Sequence, residues 1–231
     1  MKSPNHIKLD NPVWHSLDET HRGFSIDYGS LKCYHPAFCP FGGFKNSTDS
    51  EEQIVRYAKL INNFFIVGNK PKFSRELGLK NELVCLQMII DRNPDVNGQE
   101  EIIKLNHIHE DALLELVNLV QPGYFRNNTS QLGDYYGIFQ NGNLVAATGE
   151  RMQMDDFVEV SAIVTHPDHT GKGYASQLIT HTVNKILNQH RIPYLHVAET
   201  NKPAINLYRK LGFKIRRKIS FWNIIAYPEA F

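Results

Sequence analysis

The stretch from Ala162 to Leu178 combines residue types that can hold an anion. Apolar Ala162-Ile163-Val164-Thr165 leads into a polar loop, His166-Pro167-Asp168-His169-Thr170, and Gly171 and Gly173 then open an amphipathic segment. Glycines let main-chain N–H groups approach a phosphate closely, and a helix N-terminus adds partial positive charge. The N–H groups of Gly171, Lys172, Gly173, Tyr174, Ala175 and Ser176 are therefore the candidate cradle for a pyrophosphate. The loop is not a Walker A motif, because no Gly-Lys-Ser/Thr closes the spacing. It is not a dinucleotide fingerprint either, since the third glycine and the later acidic residue are missing.

These groups need elements to position them. Residues 157 to 165 alternate as a strand, with Val158, Val160, Ala162 and Val164 on an apolar face. Glu159 and Ser161 fall on the other face with Phe157, Ile163 and Thr165, where a buried carboxylate is costly unless used. From Gly173 onward, Ala175, Leu178, Ile179, Thr182, Val183, Ile186 and Leu187 form a core-facing helical stripe. Strands are expected at 101–105, 135–140, 144–152, 194–198, 213–219 and 221–225, with a hairpin turn at Asn141-Gly142. Helices are expected at 110–120 and at 202–211, the latter stopped by Gly212. In the first third, a helix at 51–62 and strands at 64–67 and 83–90 stand out, and Tyr34 to Phe44 looks like an aromatic loop. The polar cluster at 92–98 divides the chain into an N-terminal α+β module, 1–98, and a second domain, 99–231.

Composition narrows the classes. The chain has 231 residues, 42% hydrophobic and 21% charged, enough to bury a real core. A net charge of +1 gives no electrostatic case for nucleic acid or an anionic membrane. Three scattered cysteines make no disulfide framework, the first six residues lack a leader's apolar core, and no apolar stretch reaches membrane-spanning length. A cytoplasmic location is expected. His166 and His169 lie close together without further ligands, so no metal is expected. Cys39, with His35 four residues upstream, lacks an orienting third group and reads as a packed thiol.

A second motif gives the glycine loop its meaning. Asn201-Lys202-Pro203-Ala204-Ile205-Asn206-Leu207-Tyr208-Arg209-Lys210-Leu211-Gly212-Phe213 sets Asn201 and Tyr208 seven residues apart, close to two helical turns. With Thr170-Gly171-Lys172-Gly173-Tyr174-Ala175, strand Glu159-Val160-Ser161-Ala162 and Gly149-Glu150-Arg151-Met152, it resembles the GNAT superfamily of acyl-CoA N-acyltransferases, in particular its FR47-like group. The resemblance covers roughly residues 100 to 220, and Thr170 stands where the family usually has Arg or Gln.

The resemblance implies an α/β protein of the α+β type: a mixed, mainly antiparallel central sheet flanked by helices, with the smaller N-terminal module packed against it. It implies transfer of an acyl group, acetyl first, from coenzyme A to a primary amine, small-molecule or peptide, in a ternary complex. The pantetheine arm would lie along Ile163, Val164 and Thr165 like an added strand, and Asn201 would hydrogen-bond the cosubstrate. Lys172, Lys210 or the basic run 214–218 would meet the adenosine phosphates, unless that run is a solvated strand face. Tyr208 falls at the thiol-protonating position, and Glu159 at the base of some members, where burial should raise its pKa. His196 falls where other members carry a catalytic glutamate, and Glu150 is a third candidate base. Backbone N–H groups near Val164 would face the oxyanion. The acceptor would be shaped by 122–128, by the loop at Asp155-Asp156 and by the 34–44 segment. Edge strands near the C-terminus leave a homodimer open. The same motifs also allow a non-catalytic module that binds acyl-CoA as a sensor.

Overall fold

The structure, a computed structural model, describes residues 6–45, 51–72, 74–96 and 98–227. Residues 1–5, weighed above for a leader, and Asn97 in the expected boundary lie outside the described residues. In chain order the elements are α1 (Pro12–Asp18), β1 (Ser25–Asp27), β2 (Leu31–Tyr34), β3 (Phe41–Phe44), α2 (Glu51–Ala58), β4 (Asn63–Val67) and β5 (Leu77–Ile89). There follow β6 (Ile103–Lys104), α3 (Glu110–Val120), β7 (Tyr135–Gln140), β8 (Asn143–Gln153) and β9 (Phe157–Thr165). The chain ends with α4 (Tyr174–Asn188), β10 (Ile192–Ala198), α5 (Lys202–Lys210) and β11 (Lys214–Ala226).

All the strands join one sheet in the order β1-β2-β3-β4-β11-β5-β10-β9-β8-β7-β6. Pairs β3–β4 and β9–β10 are parallel and the other neighbours antiparallel, so the sheet is mixed and mainly antiparallel, with helices packed on it. The sheet crosses residue 98 without a break: β5, from before it, pairs with both β10 and β11, from after it. The two strands expected at 213–219 and 221–225 are one strand, β11, because Ser220 keeps its ladder position opposite Val84. That strand lies between β4 and β5, so among the described residues the last strand has no free edge, which removes the ground given for a homodimer there.

The largest revision concerns Tyr34 to Phe44. Phe41-Gly42-Gly43-Phe44 is buried strand β3, and its glycines serve close packing. A Cβ on Gly42 would sit 2.6 Å from Cys33 Sγ, and one on Gly43 would sit 3.0 Å from the Trp14 backbone nitrogen. Glycine here removes side-chain bulk from a crowded layer between α1, β2 and β4, a use that looks like a loop when read locally.

Two cores cover the sheet near its centre. Val158, Val160, Ile179, Val183, Ile186, Leu195, Val197, Ile205 and Tyr208 pack β9 and β10 against α4 and α5. Leu9, Val13, Leu17, Tyr34, Phe41, Phe65, Phe157 and Tyr194 form another core that includes α1. The Asn141-Gly142 turn has positive φ at both residues, 51° and 81°, as a tight hairpin between β7 and β8 requires.

Candidate active site

Strand β9 changes face halfway along. Ala162 has φ 49°, and the register with β8 slips between Gly149↔Ser161 and Ala147↔Val164, which is one extra residue on β9. Val158 and Val160 pack with α4 and α5, but Ala162 and Val164 pack with α3 residues Leu113, Leu116 and Val117. Ile163 joins the α4–α5 core instead. The single apolar face expected for Val158, Val160, Ala162 and Val164 is therefore split by a β-bulge, which breaks the two-residue period.

The neighbouring strand parts from β9 at the same place. Parallel pairing with β10 runs from Phe157↔Ile192 to Glu159↔Tyr194 and stops there, while β10 stays paired with β5 through Ala198. Beyond Glu159 the β9 main chain has no strand on its β10 side. A cavity of about 300 Å3 opens in this split. Val160 to Ile163 line one wall, His196 to Ala198 a second, and Asn201 and Tyr208 approach from α5. Phe41, Leu83, Cys85, Gln121, Tyr124 and Phe221 line the rest with Arg151 and Glu159.

Glu159 is 1% exposed and fully partnered. Arg151 grips it at both oxygens, Nε to Oε2 at 2.8 Å and Nη2 to Oε1 at 3.1 Å, and His196 Nδ1 lies 2.8 Å from Oε1. Burial alone pushes the carboxyl pKa up, as expected from the sequence. The Arg151 charge and the hydrogen bonds from His196 and Arg151 outweigh it and bring the value down to about 2. The expected raised pKa is thus corrected: Glu159 is an ionised carboxylate at neutral pH. Arg151 remains a cation and lies over the Phe41 ring, 4.7 Å from its centroid.

The other side of His196 is also engaged. Arg216 Nη1 donates to Gln87 Oε1 at 3.0 Å, which turns the Gln87 amide nitrogen toward the Leu9 carbonyl at 2.8 Å and His196 Nε2 at 3.1 Å. An arginine can only donate, so this chain of bonds assigns the proton of His196 to Nδ1, where it meets Glu159. Arg216 is held in turn by Asp10 at 2.6 Å and by the His6 carbonyl. Five strands and the N-terminal segment together set one imidazole.

Tyr208 is buried and its ring packs on Phe213, 6.0 Å between centroids. Its hydroxyl has no protein hydrogen bond among the described residues, and burial raises its pKa, so it stays protonated at neutral pH. Asn201 caps α5, its Oδ1 accepting from Ala204 N at 3.2 Å, which leaves the amide NH2 for the cavity. Past the end of β9, Gly171 and Gly173 adopt φ 78° and 81°, with open space around Gly171. Lys172 is exposed beside His169, Tyr174 is buried, and Ala175 and Ser176 are half-buried in the first turn of α4. Thr165 is half-buried and pairs with Ala146 of β8.

Other expected residues lie elsewhere. Glu150 is buried against Lys185 at 2.7 Å and Gln153 at 3.3 Å, and it does not line the cavity. Asp156 pairs with Lys8 at 3.6 Å, and the Asp155 N–H donates to Glu19 at 2.9 Å, so neither reaches the acceptor side. In the basic run, Arg216 and Arg217 bind Asp10, and Lys218 binds Glu199 at 2.7 Å. Cys39 is fully buried, which pushes its thiol up to about 12. Among the described residues no group of three or more His, Cys, Asp or Glu is placed to hold a metal ion, and no helix is long and apolar enough to cross a membrane. Phe41 and Tyr124 come from two of the segments expected to shape the acceptor, 34–44 and 122–128, but sequence reasoning did not find Arg151 as the partner of Glu159, nor the parts played by Gln87, Arg216 and Cys85. The only local signal was Arg151 beside Glu150 in a strand expected to be buried.

A bulged strand split from its parallel neighbour, above a glycine turn that opens a helix, defines the GNAT class of fold. Residues 135–222 match the model of the FR47-like protein family. A GNAT-family protein from Novosphingobium aromaticivorans has a solved structure that superposes with a TM-score of 0.87 at 27% identity, covering 95% of this chain and 98% of that one. A GCN5-related N-acetyltransferase-like protein from Streptococcus suis has the same fold, with a TM-score of 0.59 at 14% identity over 84% of this chain and 82% of its own. Spermidine N(1)-acetyltransferase of Vibrio cholerae is 46% identical over 54 residues, 22% of this chain and 31% of that protein. The chain spans about a third of the length of the curated relatives it matches.

Proposed function

We propose that the protein transfers an acyl group, acetyl in the first instance, from coenzyme A to a primary amine in a ternary complex. The observation that carries this reading is the split between β9 and β10, which leaves a free strand edge between ionised Glu159 and the glycine turn. The residues fit such a donor. Ile163, Val164 and Thr165 would hold the pantetheine arm by main-chain bonds, and Gly171 to Ser176 the pyrophosphate, with no Cβ in the way at either glycine. Thr170 in place of a longer polar residue leaves that main-chain cradle intact.

Acetyl-CoA, when bound, supplies an activated thioester. The ammonium drawn to Glu159 first gives one proton to solvent. The neutral amine then adds to the thioester carbonyl, and Glu159, backed by His196, takes up the second proton from the now acidic nitrogen as the C–S bond breaks. Main-chain N–H groups at the Ala162 bulge face the carbonyl oxygen as it gains charge. Tyr208 gives its phenolic proton to the departing sulfur. The FR47-like match and the amine-acetylating Vibrio relative support this chemistry. Three buried free thiols support a reducing, cytoplasmic setting.

Initial rates with both substrates varied test the proposal. Intersecting lines and thiol release that depends on amine are expected. Parallel lines overturn direct transfer, and tight acetyl-CoA binding without thiol release over any amine favours the sensor.

A further inference from the structure

The acceptor half of the cavity differs from what a polyamine needs. Of the residues lining it, Glu159 is the one carboxylate, and Arg151 already occupies both of its oxygens. The remaining wall is Phe41, Leu83, Cys85, Tyr124 and Phe221, with Gln121 as its one amide. Aromatic faces can hold an ammonium, but the face of Phe41 is taken by the Arg151 guanidinium. Phe221 meets Phe41 edge to face at 5.4 Å, and Tyr124 lies tilted against Phe65 at 5.2 Å. A second ammonium on the acceptor would therefore meet mostly apolar carbon, the neutral Gln121 and Tyr124 polar groups and a buried cation, with no second carboxylate. The cavity volume of about 300 Å3 is at the small end for ligand pockets and must also admit the acyl end of the donor.

We infer that the acceptor is a small monoamine whose body is aromatic or branched and apolar, in preference to a polyamine or a lysine side chain on a peptide. Its one ammonium is drawn to Glu159, and its body replaces water against Phe41, Tyr124 and Phe221. This rests on the acyl-transfer reading of the same site, and it departs from the spermidine in the name of the Vibrio relative.

The test uses the full-length protein with 2-phenylethylamine, isopentylamine, spermidine and a lysine-containing peptide. In acetyl-CoA-dependent thiol release, kcat/KM for 2-phenylethylamine is expected to exceed that for spermidine by about tenfold or more. Leu83→Glu, which adds an unpaired carboxylate to the wall, is expected to narrow that ratio by about tenfold. Equal or better turnover of spermidine or the peptide by the unaltered protein overturns the inference. Calorimetry with the protein saturated in coenzyme A separates the two readings. Tighter 2-phenylethylamine than spermidine binding, with no acetylation of either, upholds the pocket chemistry and defeats acyl transfer. Tighter spermidine binding overturns the pocket chemistry whether or not transfer occurs.

Discussion

The glycine turn at residues 170–174 and the Arg151–Glu159–His196 cluster are the two candidate parts of the site, and they are built in opposite ways. The turn is exposed main chain, and its conformation follows from two glycines one residue apart, Gly171 and Gly173. The cluster is buried side chain gathered from β8, β9 and β10, with Gln87 of β5 and Arg216 of β11 behind it. On the proposed reading the turn would tolerate a neighbour such as Thr170, because its main-chain N–H groups would do the binding. The cluster tolerates little, because each member satisfies a polar atom of the next.

The sharpest way to break that contrast is Arg151→Met, which leaves Glu159 buried without its counter-charge. A loss of about 3–5 kcal/mol is expected in denaturant unfolding at neutral pH. Glu159 has a folded pKa of about 2 against an ordinary 4.5, so its ionised form adds stability above the higher value. That contribution disappears as pH falls through the folded value, so the gap between the two proteins should shrink as pH falls from 5 toward about 2. The double change Arg151→Met with Glu159→Leu should recover most of the loss. A single variant as stable as the unaltered protein at neutral pH would mean that the pair contributes nothing to the fold.

The same contrast explains what could be read without coordinates. The run through Gly171 and the Asn201-to-Phe213 motif are local: spacing along one helix or one turn carries the information. The limits of α3, β7 and β9 followed from periodicity alone, and the Asn141-Gly142 turn from residue type. Ala162 hid the bulge, because an alanine at φ 49° leaves no mark in a strand otherwise alternating in apolar residues. The pKa of Glu159 depended on Arg151, eight residues earlier on the adjacent strand, so its direction turned on a register that the bulge itself shifts. Phe41 was legible only as part of the 34–44 segment, and Gln87 was further out of reach, since its place behind His196 is set by pairing across the sheet.

A smaller effect on the fold, but a large one on turnover, is expected at Tyr208. Its hydroxyl bonds to no protein group among the described residues, so Tyr208→Phe should change unfolding free energy by no more than about 0.5 kcal/mol. If that hydroxyl protonates the leaving sulfur, kcat should fall by about 100-fold with the KM for acetyl-CoA little changed. An unchanged kcat would reduce Tyr208 to its packing against Phe213 and put the proton source elsewhere. The variant therefore separates the half of the site that works through chemistry from the half that works through burial.

The least effect is expected where charge looked most inviting. Asp155 and Asp156 resemble a ready landing for a cationic acceptor, yet they lie just before the start of β9, with Asp156 paired to Lys8 and Asp155 donating its N–H to Glu19. Asp156 is 43% exposed in its side chain, so its ion pair is screened by solvent and contributes little. Asp156→Asn should shift stability by no more than about 0.5 kcal/mol and leave the KM for the amine as it was. A several-fold rise in that KM, measured beside an unaltered KM for acetyl-CoA, would bring the 155–156 loop back to the acceptor entrance. The aromatic wall would then be only part of the path, because a carboxylate outside the cavity would be selecting the amine before Glu159 meets it.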